Sequence, residues 1–76
     1  MQTSDYRRGL TVPHLRAWRE SRILTQDELA EKSGVSAATI SSAERGHAIQ
    51  IPKIGRLAKA LGVDRVTLVN EPPEVS

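Results

Sequence analysis

Apolar residues along this chain recur at intervals of three and four, the spacing of helices that each bury one face. Leu15 and Trp18, with the stem of Arg22, line one side of a first segment. Leu29 and Ala30 mark a second, and Ile40 and Ala43 a third. Ile54, Leu57, Ala58 and Leu61 form the clearest stripe, and Leu68 gives a short fifth segment its inward residue. No stretch shows the strict alternation of a half-buried strand, so the pattern predicts an all-α domain.

Capping residues sharpen the boundaries. Pro13 suits the first turn of helix 1, which runs to about residue 21, and Ile23-Leu24 is expected to pack the junction that follows. Thr25 can cap helix 2 over 26–33, with Glu28 as its capping-box partner. Gly34 stands where that helix must stop, because glycine takes the left-handed conformation without steric cost. Ser36 can then cap helix 3 over 37–45, and Gly46 follows its end. An irregular connection over 46–51 leads to helix 4, which starts near Pro52 and ends at Gly62. Asp64 caps the short fifth helix, and Asn70-Glu71-Pro72-Pro73 stops regular structure. The reading is an N-terminal arm over 1–11, a domain over 12–70 and a tail over 71–76. Two short helices joined by a turn of three or four residues, with a small Ala30 at their crossing, form the unit that places its second helix in the major groove of DNA.

Composition narrows the picture. Seventy-six residues allow one small core, and with one Trp, one Tyr and no Phe that core is mostly aliphatic. Without cysteine the chain has no disulfide and no zinc–thiolate site, and a reducing cytoplasm suits it. No apolar run approaches the length of a membrane span. The net charge of +2 conceals an uneven distribution. Residues 7–69 hold all eleven Lys and Arg against six acids, a net +5, while Asp5, Glu71 and Glu74 lie outside. A basic domain with acidic ends suits a polyanion, whose counterions are released on binding.

The pieces LRAWRESRILTQDELAEKSGVS, TISSAERG and IPKIGRLAKALGV resemble, in one register from Leu15 to Val69, the Cro/C1-type (XRE) helix-turn-helix family. That resemblance implies a compact five-helix, lambda-repressor-like fold. It also implies phosphate contacts from Gln26 at the start of helix 2, beside Thr25, and from Arg45, Gly46 and His47 after helix 3. Base readout would fall to Ser36, Ala37, Ala38, Thr39, Ser41 and Ser42. The chain departs from the family at Ala37, Ala38 and Ser42, where long amides or arginines are common. Alanine can touch only a thymine methyl, so direct readout is expected to be modest, with DNA shape and water carrying part of any specificity. Arg19 and Glu44 hold positions where the family has an ion pair joining helix 1 to helix 3. Trp18 reads as packing, Arg16, Arg22 and Lys32 as general electrostatics, and Tyr6-Arg7-Arg8 as an arm that could follow a minor groove.

The expected partner is an operator in double-stranded DNA, bound by a homodimer with half-sites one helical turn apart. Ile49, Ile51, Val66 and Val69 are apolar residues in excess of the core and are candidates for the self-complementary patch. The activity implied is transcriptional regulation, as in phage repressors, restriction-modification controllers or antitoxins. The competing class is a protein-interaction module on the same fold, favoured by the small residues of helix 3. Catalysis is not expected: His14 and His47 lack partners at metal-ligand spacing, the serines of helix 3 have no histidine near in sequence, and no cofactor motif is present.

Overall fold

The structure is a computed structural model and describes residues 9–74. Five helices follow in order: α1 (Leu15–Ser21), α2 (Gln26–Ser33), α3 (Ala37–Glu44), α4 (Ile51–Leu61) and α5 (Arg65–Asn70). Helix α2 packs on α3 and α4, α1 on α3 and α5, and α4 on α5, with α4 supplying the largest share of buried side chains. Leu15, Leu29, Ile40, Ile54, Leu57, Leu61 and Leu68 are fully buried. Each of them falls on the inward stripe read from the sequence. Val12, Val35 and Ile49, from connecting segments, complete the core and had no periodicity to reveal them.

The capping chemistry decides where α2 and α3 begin. Thr25 Oγ1 accepts the Glu28 N–H at 3.0 Å, and the Glu28 carboxylate accepts the Thr25 N–H at 2.8 Å, closing the reciprocal box. Gly34, at φ 78°, ends α2 in the left-handed conformation. Ser36 Oγ accepts the Thr39 N–H at 3.1 Å and so starts α3. At the other boundaries the sequence reading needs adjustment. Pro13 and His14 form a turn ahead of α1, α3 stops at Glu44 with Arg45 as its C-cap, and Asp64 sits at the α5 N-cap with no side-chain cap bond.

The expected arm over 1–11 also ends earlier than the sequence suggested, and its first eight residues lie outside the described part. Leu10 exchanges backbone hydrogen bonds at 2.9 Å with Ile49, an antiparallel bridge that pins residues 9–11 to the α3–α4 connection. Gly9 permits this approach, because a Cβ there would collide with the Ile49 carbonyl. Trp18 Nε1 donates to the Glu71 carbonyl at 2.8 Å and holds the start of the tail against α1.

Ile23 corrects the expectation for the α1–α2 junction. Its partner Leu24 does pack against the core, but the Ile23 side chain is 88% exposed and its φ is +59°. The Ile23 N–H bonds Glu20 O and the Leu24 N–H bonds Arg19 O, the pairing that closes a helix through a left-handed residue. That position favours glycine, and a β-branched side chain is strained in it by about 1–2 kcal/mol. Ile23→Gly is therefore expected to stabilise the domain by about 1 kcal/mol, seen as a rise of roughly 4–8 °C in thermal midpoint. A midpoint unchanged or lowered would show that the strain is absent.

Candidate nucleic-acid interface

The site is built from the orientation of α3, and that orientation is fixed by Glu44. Its carboxylate accepts two bonds from Arg19, Nε to Oε2 at 2.6 Å and Nη2 to Oε1 at 3.0 Å. Gln26 Nε2 adds a third, to Oε1, at 3.0 Å. The remaining arm of the guanidinium, Nη1, donates to the Leu24 carbonyl at 2.8 Å. One planar cation thus joins α1, the α1–α2 junction and the end of α3, while Gln26 ties in the start of α2. The Arg19 and Glu44 side chains are only 12% and 6% exposed. Burial pushes the Glu44 carboxyl up, but the bonds from Arg19 and Gln26 and the Arg19 charge outweigh it and hold the group below its usual 4.5. The bond to Glu44 is also the main cause of the raised Arg19 pKa.

With its end held so, α3 buries Ile40 and Ala43 and presents Ser36, Ala37, Ala38, Thr39, Ser41 and Ser42 on exposed or half-exposed positions. Ala38, Thr39 and Ser42 line a shallow cleft of about 360 Å³ whose other wall is Ala48, Ile49, Gln50 and Lys53. Two hydroxyls of the expected readout set are engaged at home. Ser36 Oγ donates to Thr39 Oγ1 at 2.9 Å while it caps the helix, and Ser41 Oγ accepts from Arg45 Nη1 at 2.8 Å. Thr39 and Ser41 keep a hydroxyl proton to offer outward, and Ser42 has neither commitment.

The expected phosphate set is also partly redirected. Thr25 is committed to the capping box and the Gln26 amide to Glu44. What the start of α2 offers an anion is its backbone: the Gln26 and Asp27 N–H groups have no partner within the helix. Arg45, Gly46 and His47 are exposed after α3, with the His47 N–H tied to Ser42 O at 3.1 Å. Lys53 and the N-terminus of α4 were missed by the sequence reading, although signals were there. Proline stands in the first turn of α4, no acid does, and Gln50 caps it without a side-chain bond. Pro52 has no N–H and the Lys53 N–H bonds the Gln50 carbonyl at 2.9 Å, so this end offers the Ile51 N–H and the Lys53 ammonium beside the α3 cleft. Arg22 leaves the general electrostatic group, because it stacks over the Trp18 ring at 5.2 Å and donates to the Leu61 carbonyl at 2.9 Å. No cluster of His, Asp or Glu suited to a metal occurs among the described residues, and no described helix is long and apolar enough to cross a membrane.

Five helices with this second and third pair define an XRE-type helix-turn-helix domain. The helix-turn-helix family HTH_3 matches residues 15–68, and the chain belongs to that family. Among solved structures it is similar to the N-terminal DNA-binding domain of the master biofilm regulator SinR from Bacillus subtilis. The two are 28% identical with a TM-score of 0.70, over 88% of this chain and 100% of that one. SinR has also been solved in complex with DNA and with the SinI protein. An HTH_3-family transcriptional regulator from Vibrio cholerae is 30% identical, with a TM-score of 0.67 over 72% of this chain. HEPD of Streptomyces albus, solved with 2-hydroxyethylphosphonate and Fe(II), contains a similar unit, 28% identical with a TM-score of 0.70 over 83% of this chain. The chain spans 32% of the Vibrio protein and 14% of HEPD. No curated protein matches the sequence.

Removing one partner of the Glu44 network leaves the other a poorly solvated charge. Glu44→Ala is expected to cost about 3 kcal/mol in denaturant unfolding. Arg19→Met combined with Glu44→Ala should cost less than the sum of the two single changes. Because Glu44 is held below 4.5 in the folded chain, its stabilisation is complete above that pH and is lost as pH falls through the lower, folded value. In Glu44→Ala the acid limb of the stability curve should flatten. An unchanged limb would remove Glu44 from it.

Proposed function

We propose that this chain is a DNA-binding transcriptional regulator that places α3 in the major groove of its operator. The observation that carries the reading is the pairing of an outward α3 surface with the free backbone donors at the start of α2, flanked by Arg45 and Lys53. The start of α2 and the Lys53 ammonium at the start of α4 act as phosphate clamps, and α3 between them reads the groove floor. SinR, which shares the fold, is described as bound to DNA, which supports the assignment.

On α3 the reading groups are short. Ala37 and Ala38 supply methyl contact to thymine, and Thr39, Ser41 and Ser42 supply hydroxyls of limited reach. Specificity therefore draws on DNA shape and bridging water as well as on direct bonds. One such helix discriminates too little against a genome, and the functional unit is a homodimer. An apolar groove of about 410 Å³ lined by Leu10, Ile51, Ile54, Arg65, Val66 and Val69 is the candidate pairing surface. Val66, 68% exposed, stands at its rim. Ile49 drops out of the expected set, because its side chain is 7% exposed and belongs to the core; Leu10, bridged to it, takes its place at the groove. A protein-binding role is the second reading. It is favoured by the small residues of α3 and by the SinR–SinI complex. The similar unit inside HEPD shows the fold within a longer chain solved with its substrate.

Selection of bound duplexes from a random pool tests the assignment. The expected result is a palindromic consensus with half-sites about one helical turn apart. Val66→Lys should reduce it to single half-sites if the groove pairs two copies. A chain that enriches no duplex from the pool is not a sequence-specific regulator.

A further inference from the structure

From Arg45 to Val63 the chain carries Arg45, Lys53, Arg56 and Lys59 and no carboxylate. Three of these cations sit on α4 at intervals of three residues, and the span from Lys53 to Lys59 is about 9 Å at 1.5 Å per residue. Lys53 opens onto the cleft beside α3. Arg56 and Lys59 line a separate cleft of about 490 Å³ with Lys32, Ser33 and Ala60, between the end of α2 and the body of α4.

Three positive charges thus share one cleft whose lining holds no acid. Among the described residues none of them forms an ion pair; the two ion pairs present are Arg16–Glu20 and Arg19–Glu44. The nearby acids form no ion pair with the three. Glu28 stands one turn before Lys32 and Asp64 lines a neighbouring cleft with Lys59, but among the described residues neither pairs directly with them, and Glu31 is off the Lys32 face. The helix macrodipole gives Lys32 and Lys59 a local reason to stand in the last turns of α2 and α4. It gives none to Arg56 in mid-helix, nor to the convergence of all three.

We infer that this ridge is a track for the DNA backbone, leading from the cleft beside α3 to the separate cleft at Lys32. A strand whose phosphate meets Lys53 and the start of α4 runs on past Arg56 and Lys59, with Lys32 on its far side. Nine ångströms correspond to about three nucleotides of one strand at 3.4 Å of axis each. The track neutralises charge without reading sequence, so it adds affinity for every duplex and extends the footprint beyond the bases that α3 can reach. The inference rests on the DNA-binding reading given above.

The test compares the chain with a Lys32→Ala/Arg56→Ala/Lys59→Ala variant, by fluorescence anisotropy on a selected and a scrambled duplex over a range of salt. The plot of log affinity against log salt should become shallower by about 2–3, near 0.9 for each phosphate that is no longer neutralised. Both duplexes should lose affinity by the same factor, with the thermal midpoint kept. The charge-keeping variant Lys32→Arg/Arg56→Lys/Lys59→Arg should retain the original slope. An alanine variant with an unchanged slope overturns the inference and leaves the cleft to an acidic protein partner. A charge-keeping variant as weak as the alanine one also overturns it. If the unaltered chain binds neither duplex at any salt, the DNA-binding reading itself fails, and the track falls with it.

Discussion

The carboxylate of Glu44 is the point through which the rest of the domain positions its third helix. Three donors converge on it, two from α1 and one from the start of α2, while the same arginine holds the Leu24 carbonyl. A buried pair of this kind is poor evidence for net stability, because both charges lose water to form it. Its value is directional. A bidentate guanidinium–carboxylate pair is planar and short, so it fixes an angle that apolar packing of Ile40 and Ala43 alone would leave free to rotate. The outward surface of α3 and the start of α2 are set by the same clamp. A loss at Glu44 would therefore disturb both halves of the interface together.

Most of the fold was legible in the chain because it is written in short-range chemistry. The helix stripes, the Thr25–Glu28 box, the Gly34 stop and the Ser36 cap each depend on residues a few positions apart. Ala30, expected to be small for a close crossing, is packed against the core as a partly buried residue. The misreadings share the opposite property. The Leu10–Ile49 bridge, the Trp18–Glu71 bond and the Arg22–Leu61 bond join residues 39 or more apart, and no local pattern encodes them. Ile23 misled because an apolar residue at a junction is usually packed. There the backbone required a left-handed closure and turned the side chain to solvent.

The candidate site was legible in outline and not in its commitments. Sequence position assigned Gln26, Ser36, Ser41 and Arg45 to the proposed surface. It could not show that Gln26 is held by Glu44, that Ser36 is shared between a cap and Thr39, or that Arg45 lies back on Ser41. Those internal bonds lower the number of side chains free to meet bases, and in the proposed reading they shift the weight of binding to the start of α2 and to cations. Lys53 belongs in that group, and its proximity to α3 exists only in three dimensions, across the connection that Ile49 anchors in the core.

Both the clamp at Glu44 and the donors it positions matter to function only if this surface of the molecule is the one that meets DNA. Amide shifts recorded while a duplex is titrated into the isotopically labelled chain test that directly. The largest changes should fall at Gln26 and Asp27, along residues 36–42, at 45–47 and at the start of α4 through Lys53. Changes confined to the groove around Val66 and Val69, or no changes at saturating duplex, would contradict it.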